Sequence, residues 1–198
     1  MTKLLRDIAL DHSQSIIEKA RNGDDKAFTK LVGLWFKKIY NFCLKYFGDH
    51  DMAMETTQKT FIALYRNLTE IRDTERLKFW LYKVARNYCY EEGRKQKKTG
   101  LLSIFQNQEV EQKPDSYFHP ERKLQTMEKE QWVSSLLLTL PDEQRTVIIM
   151  KEYEDMKFRE IAEVLDISEN TVKSRLYYGL KSLRKQIEQS GYAYKEEV

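Results

Sequence analysis

Apolar residues recur every three or four positions through most of the chain, which is the spacing of one buried helix face. The longest run predicts a helix over 25–47, and Gly48 is a favourable stop because glycine readily takes the left-handed conformation. Two further runs predict helices over about 51–66 and 76–95. The residues expected to face inward are Phe28, Leu31, Val32, Trp35, Ile39, Phe42, Cys43 and Tyr46, then Ala53, Thr57, Phe61, Leu64 and Leu68, then Leu77, Trp80, Leu81, Val84 and Tyr88. Three such helices can enclose one small core.

The stretch 98–120 contains charges, Gly100 and Pro114 but no sustained period, which predicts a linker. Helical periods resume over about 120–139, 141–154, 158–165 and 169–189. Only seven glycines and three prolines occur, and strand signals are few. We therefore expect an all-α fold of two small helical domains joined by a flexible linker, the C-terminal one a helix-turn-helix domain. The expected divisions are an N-terminal segment 1–22, a first domain 23–97, the linker 98–120 and a second domain 121–198.

Residues 158–185 have the pattern of a helix-turn-helix: a short helix, a tight turn and a second helix. Ala162 is small where the two helices cross, and Ser168 is a natural N-cap for the second helix. Asp166 stands where such turns usually carry glycine, and aspartate tolerates the left-handed conformation better than most residues. The shared core is expected to contain Ile161, Leu165, Ile167, Val172 and Leu176. The second helix would enter the major groove with its N-terminal end first.

Residues 170–187 include five basic side chains and no acidic one. A charge run of this kind is often only a solvated helix face, but its place in a helix-turn-helix favours DNA contact. Early positions can reach base edges and later ones suit phosphates. The expected DNA contacts are Ser168, Glu169, Asn170, Thr171, Lys173, Ser174, Arg175, Tyr178 and Lys181.

The third predicted helix interleaves positive charge with aromatic residues, and it ends in the basic run 93–98. Lys83, Arg86 and Asn87 alternate there with Trp80, Tyr82, Tyr88 and Tyr90. Such a surface can follow a nucleic-acid backbone and stack unpaired bases. The alternative is that the aromatic residues are core and the basic residues are solvated, and the segment alone leaves both open.

The composition and the absence of certain motifs mainly exclude other classes of protein. The net charge is +3, and Cys43 and Cys89 have no metal-ligand spacing, so we expect small buried residues in a reduced protein. No phosphate loop, metal cluster or nucleophile elbow is found, so neither an enzyme, a cofactor nor a small-molecule substrate is expected. No apolar run has the length of a membrane span, and the charged N-terminus is unlike a secretion signal. A cytoplasmic protein is therefore expected.

Two segments resemble a known family. Residues 24–68, continued by FWLYKVARN at 79–87, resemble region two of the ECF-type (extracytoplasmic function) sigma factors of the sigma-70 family. Residues 140–185 resemble region four of the same family. Their order and the linker between them also fit. The resemblance implies an alternative sigma factor, which binds bacterial core RNA polymerase and directs it to promoter DNA.

The same resemblance implies roles for particular residues. The first domain would bind the −10 element and hold the melted strand through the loop 68–78 and the following helix, with Lys83, Arg86, Asn87 and Arg94 as contacts. The second domain would read the −35 element as duplex. The helix 51–66 would dock on the polymerase through Asp51, Glu55, Gln58 and Lys59, although Lys59 reverses the acidic charge that family members usually carry there. Such factors are commonly held by an anti-sigma protein, which makes one a further expected partner.

A conventional regulator is the main alternative. It would bind an operator through 158–185 as a dimer, with the N-terminal helices supplying the interface. A regulator binds duplex DNA alone, whereas a sigma factor is weak alone and binds core polymerase one to one. A pure protein-interaction module is a further alternative, and in that case substitution of Lys173 or Arg175 would be silent in every assay.

Overall fold

The computed structural model describes residues 14–71, 74–104 and 132–190, and within these ranges every regular element is helical. The all-α prediction is thereby confirmed. A 3-10 turn, Leu68–Glu70, follows the third helix, and a π-helical turn, Ile149–Tyr153, continues the sixth. The helices are α1 (14–21), α2 (Asp25–Phe47), α3 (His50–Asn67), α4 (Thr74–Ile104), α5 (132–138), α6 (Asp142–Ile148), α7 (Phe158–Leu165) and α8 (Glu169–Gln189).

Local sequence signals set the helix ends. The Asp24 carboxylate accepts hydrogen bonds from the backbone N–H groups of Lys26 (2.9 Å) and Ala27 (3.1 Å), which starts α2. Gly48 ends it with a φ of 67° and donates its N–H to the carbonyl of Leu44. The predicted bounds of α2, α7 and α8 are therefore confirmed.

The core of the first domain is built from α1, α2, α3 and α4. All the inward residues predicted on α3 are buried. Ile16, Ile17 and Ala20 of α1 are buried in the same core, so part of the segment 1–22 packs with the helices that follow it. Nothing in the structure fixes where that segment ends and the domain begins, and the divisions of the chain stay predictions.

The buried stripe of α4 differs from the one predicted. Leu77 and Leu81 are buried, but Tyr82 (2% exposed), Ala85 and Cys89 complete the stripe. The predicted members Trp80, Val84 and Tyr88 are only partly buried. The prediction assumed that α4 packs on one side, whereas α2, α3 and α7 all contact it.

Helix α4 also continues further than predicted, because residues 98–104 are helical rather than linker. Gly100 is tolerated inside a helix at a modest cost, and the next helix-breaking residue is Pro114. The rest of the predicted linker, 105–120, and the start of the helix predicted at 120 lie outside the described residues.

The two domains meet in a packed interface that we call the seam. It is formed where α2 and α4 contact the π-helical turn and α7. Val147, Ile149, Met150 and Met156 belong to the same buried cluster as the core of the first domain. In the part of the chain described, no helix is long and apolar enough to cross a bilayer.

Candidate nucleic-acid and polymerase surfaces

The turn between α7 and α8 has the geometry that the sequence predicts. Asp166 lies in the left-handed region with φ 55° and ψ 49°, and the N–H of Ile167 closes the turn on the carbonyl of Ala162 at 3.1 Å. The Ser168 hydroxyl accepts a hydrogen bond from the N–H of Thr171 at 3.1 Å, as an N-cap should. Ile161 and Val172 are fully buried between the helices, so the helix-turn-helix is confirmed as a structural unit.

Gly179 allows α8 to lie close to α6, a contact that the sequence did not reveal. A Cβ atom at this position would lie 2.8 Å from Cδ1 of Ile148 and 3.3 Å from Cβ of Gln144. A larger residue would therefore push α8 away from α6. Because α6 supports the back of α8, this contact helps to fix the side of α8 that faces solvent.

Most of the predicted DNA contacts lie on the solvent face of α8. Thr171 and Arg175 are partly buried, and Nη2 of Arg175 lies 3.1 Å from Oε2 of Glu143 on α6. Arg175 therefore joins α8 to α6. If it also contacts DNA, its guanidinium must bind Glu143 and the DNA at the same time. Tyr177 is 62% exposed on the same face and was not predicted. The predicted residues that are exposed are Ser168, Glu169, Asn170, Lys173, Ser174, Tyr178 and Lys181.

A second basic surface lies on α4. The Arg86 guanidinium lies 4.2 Å from the ring centroid of Tyr90 and donates a hydrogen bond to Oδ1 of Asn87 at 3.0 Å. Burial raises the pKa of the Tyr90 phenol. Lys83 is exposed one turn before Asn87. A groove of about 520 Å³ is lined by Arg86, Asn87, Tyr90, Glu91, Arg94 and Lys95, which brings three of the four predicted −10 residues together.

Tyr82 does not belong to this surface, which favours, for this residue, the alternative that the aromatic side chains are core. Its ring packs edge-on against Phe42 with the centroids 5.6 Å apart, and its hydroxyl donates a hydrogen bond to the Glu154 carboxylate of the second domain. Burial, followed by the Glu154 charge and hydrogen bond, raises the pKa of Tyr82, which holds the phenol neutral. Tyr82 is therefore a seam residue.

The outward side of α3 combines acidic and apolar residues. Asp51, Glu55 and Gln58 are exposed, as predicted. Three large apolar side chains accompany them and were not predicted: Met54 (39% exposed), Ile62 (52%) and Tyr65 (61%). In the sequence, the one indication that these side chains are exposed is that they fall outside the inward stripe of α3. We call these six residues the α3 face.

Lys59 is placed differently from the other three predicted docking residues. Its ammonium lies 2.7 Å from Glu55 Oε1 and 2.9 Å from Glu92 Oε1, and Lys95 lies 3.1 Å from the same Glu92 oxygen. Hydrogen bonds to Glu55 and then to Glu92 raise the pKa of Lys59, and the pKa of Glu92 is lowered by Lys59 and then by Lys95. Lys59 thus joins α3 to α4, which accounts for a lysine at this position.

Among the described residues, the two cysteines and the possible metal ligands form no further candidate site. The thiols of Cys43 and Cys89 are both buried, with their sulfur atoms 4.0 Å apart. Within 14–71, 74–104 and 132–190, no group of three or more His, Cys, Asp or Glu side chains gathers as metal ligands. The exposed surfaces of α3, α4 and α8 are therefore the candidate functional sites.

Comparison with known proteins identifies the family of the chain. A family model described as sigma-70 region 2 matches residues 31–99, which contain α3 and most of α4, and one described as sigma-70, region 4 matches 130–183. The ECF RNA polymerase sigma factor SigW of Bacillus subtilis is 30% identical over 86% of this chain and 94% of its own length. The chain belongs to the ECF RNA polymerase sigma factors. The ECF RNA polymerase sigma-E factor of Haemophilus influenzae is 27% identical to this sigma factor over 88% of the chain and 95% of its own length.

Solved structures share the fold of this sigma factor. The sigma factor RpoE, solved with the anti-sigma factor NepR from Bartonella quintana, matches 82% of this chain and 98% of its own with a TM-score of 0.63 and 21% identity. CnrH, solved with the cytosolic domain of CnrY, matches 89% of this chain and 97% of its own with a TM-score of 0.65 and 20% identity. Both comparisons support the arrangement of helices.

Lys173→Ala is predicted to weaken promoter binding by the polymerase that carries this sigma factor. Lys173 is exposed on the N-terminal half of α8, and a base contact contributes about 1–3 kcal/mol, so Kd should rise roughly 5- to 150-fold. Lys30→Ala removes the same charge from an exposed site on α2 and should change Kd little. The measurement is a filter-binding titration at fixed salt. Equal Kd values for the two variants would remove Lys173 from the DNA contacts.

Proposed function

We propose that this sigma factor binds core RNA polymerase one to one and directs it to a small set of promoters, acting in the cytoplasm and without catalytic groups of its own. The observation that carries the proposal is the presence, in one chain, of two unlike exposed surfaces that carry basic side chains. One is the exposed N-terminal half of α8, and the other is the basic and aromatic groove on α4. Each suits a different form of DNA.

The α8 surface suits duplex DNA, and we assign it to the −35 element. Its first turns expose short polar side chains, Asn170 and Ser174, with Lys173 between them. Such side chains can reach base edges when the N-terminal end of a helix enters the major groove. Lys181, two turns further along, is better placed for phosphates.

The α4 groove suits a melted strand, and we assign it to the −10 element. Arg86 holds the Tyr90 ring on one side of the groove, while Asn87 and Arg94 supply polar contacts around it. An unstacked base can stack on such a surface, and phosphates can follow its cations. Capture of an unstacked base offsets the few kcal/mol or so needed to unstack it, which promotes opening without catalysis.

The α3 face suits a protein partner, and we assign it to core polymerase. Exposed apolar side chains among acidic ones form the mixed surface typical of protein interfaces, and aromatic and methionine side chains are favoured there. Asp51, Glu55 and Gln58 would set the orientation of docking. Lys59 is engaged with Glu92, and its contribution to docking is correspondingly smaller.

An anti-sigma protein is a further proposed partner. The sigma factor RpoE was solved in complex with the anti-sigma factor NepR, which supports the proposal for this chain. A stoichiometric partner should copurify with the tagged sigma factor from its native cell. Recovery of the sigma factor with core polymerase alone would count against it.

The experiment that tests the function is transcription in vitro. Purified bacterial core polymerase is mixed with fragmented genomic DNA from the source organism, with this protein added or omitted. We expect discrete new start sites only when the protein is present. If no new starts appear while the protein alone binds duplex DNA tightly as a dimer, the operator-binding regulator is the better description.

Glu55→Lys is predicted to weaken binding to core polymerase in the absence of DNA, by tenfold or so for a contact at the centre of an interface. The exposed Glu163 of α7 is the matched control, because Glu163→Lys makes the same charge change in the other domain. Fluorescence anisotropy of labelled protein titrated with core polymerase measures both. If Glu55→Lys and Glu163→Lys bind alike, the α3 face is not the docking surface.

Asn87→Ala is predicted to impair strand opening more than the first binding of duplex. Asn87 is exposed in the α4 groove, where the melted strand would lie. Permanganate reactivity of unpaired thymines reports opening, and filter binding at low temperature reports the closed complex. Unchanged permanganate reactivity would refute the assignment of Asn87 to the melted strand.

A further inference from the structure

An ion pair joins α8, which carries the proposed −35 surface, to α6 behind it. Nη2 of Arg175 lies 3.1 Å from Oε2 of Glu143. The Arg175 side chain is 22% exposed and that of Glu143 is 56% exposed, so the pair lies at the rim of the contact between the two helices rather than inside it. A carboxylate beside a DNA surface repels phosphates and weakens the binding of any duplex, so its presence there requires an explanation.

Arg175 lies at the margin of the proposed −35 surface. Gly179, one turn later on α8, is buried against α6, whereas Ser174 and Tyr178 are exposed. Residues four positions apart share one face of a helix, so Arg175 and Gly179 both lie on the side of α8 that faces α6. Arg175 therefore stands where the packed side of α8 meets the side that is open to DNA.

The ion pair adds little to the packing of α8 on α6. That packing is made by Gly179, where a Cβ atom would lie 2.8 Å from Cδ1 of Ile148, and by Leu176 and Leu183, which pack against the apolar cluster that contains Ile148. A largely exposed ion pair contributes little by comparison, because water screens it and two long side chains must be ordered to form it. The main effect of the pair is therefore on the orientation of the guanidinium.

The helix dipole accounts for an acidic residue at the start of α6 but not for this contact. The first turn of a helix is positive, and acidic side chains are favourable there. Asp142 already supplies one, and its carboxylate lies 3.5 Å from Arg145 of the same helix. Glu143 lies in the same turn but contacts a cation of α8 instead.

Lys173, two positions before Arg175, is held in a different way. Its ammonium lies 5.7 Å from the ring centroid of Phe158 on α7. This contact is with an aromatic ring rather than a carboxylate, so it does not offset the charge. Lys173 keeps its attraction for the phosphates of any duplex, whereas the attraction of Arg175 is reduced by Glu143. The two cations of the α8 surface therefore differ in how strongly they favour DNA of arbitrary sequence.

We propose that Glu143 is a positioning residue for reading the −35 element: it holds the Arg175 guanidinium in one orientation and offsets its charge. A guanidinium carries its N–H donors in a rigid plane, so contact through Nη2 fixes the plane and leaves other donors for DNA. Fixed donors bind best the duplex whose acceptors match them, and the offset charge lowers the attraction to every other duplex. The inference rests on the proposed function, because it requires that α8 read a −35 element.

Glu143→Ala tests this role in the polymerase that carries the sigma factor. The probes are a promoter fragment found by its new start site and the same fragment with its −35 element scrambled, and the ratio of their Kd values measures specificity. We expect the ratio to fall about fivefold, because the Arg175 side chain must then be ordered on binding. Binding to the scrambled fragment should depend more steeply on salt, by about one unit of the log–log slope, because the released guanidinium adds a phosphate contact. An unchanged ratio would overturn the proposal.

Two controls separate positioning from a purely structural role. Glu152→Ala removes a carboxylate from an exposed site in the same domain and should leave both the ratio and the slope unchanged. In an Arg175→Ala background, Glu143→Ala should have no further effect on the ratio, because it acts only through Arg175. An equal effect in both backgrounds would refute the proposal. So would a loss of affinity for both fragments without a steeper slope, which is the result expected if Glu143 only supports α8.

Nitrogen-15 relaxation of the Arg175 Nε–H group measures the positioning without DNA. This group should be ordered in the free protein, and Glu143→Ala should make it mobile on the picosecond to nanosecond timescale. Arg175→Lys identifies the resonance by removing it. Equal order in the unmodified protein and in Glu143→Ala would overturn the proposal. If the unmodified polymerase does not distinguish the two fragments, the −35 assignment has failed instead, and the relaxation result shows separately whether Glu143 holds Arg175.

Discussion

The rest of the structure depends on how the Arg145 guanidinium is satisfied. A charge that is 8% exposed is costly unless its hydrogen-bond donors find acceptors, and four backbone carbonyls from two domains supply them. Asp142 lies 3.5 Å away on the same helix and balances part of the charge. Since the four carbonyls lie near the ends of α2 and α5, Arg145 fixes the position of one domain relative to the other. The burial of Tyr82 depends on that position, because its hydroxyl donates to Glu154 of the second domain.

The features that could be predicted from the sequence are local ones. The helix-turn-helix is encoded within 158–185, where Ser168 and Asp166 form contacts with neighbours three or four residues away. The bounds of α2 likewise follow from Asp24 and Gly48. Short-range signals of this kind need no knowledge of the tertiary structure, and for that reason they were reliable here.

Three residues show why the remainder could not be predicted. Tyr82 is bonded to a residue 72 positions away, Lys59 to one 33 positions away, and Arg175 to Glu143 on another helix. From the sequence, Lys59 and Arg175 look like surface residues with a polymerase or nucleic-acid role, whereas Tyr82 is open between such a surface and the core. Their partners come from elements whose approach depends on the whole fold, so pattern and spacing carry no sign of them. For Tyr82 the structure decides between two open interpretations in favour of the core, whereas for Lys59 and Arg175 it adds a partner to an assignment that remains a prediction.

Two domains that each bind one promoter element weakly gain affinity by being joined, because the second contact becomes intramolecular. The proposed −35 surface on α8 and the proposed −10 groove on α4 are joined in this way within one chain. The α3 face exposes acidic and apolar residues for the proposed docking on core polymerase.

Two carboxyls of the seam respond to pH in opposite senses. Burial raises the pKa of Glu154, so this carboxyl stabilises the folded protein at low pH and loses that contribution as pH rises through its raised pKa. Glu160 acts in the opposite sense: burial alone would raise its pKa, but hydrogen bonds from Lys157 and Lys78 lower it, and its contribution is lost as pH falls through the lowered value. The two carboxyls therefore oppose each other in the pH dependence of stability.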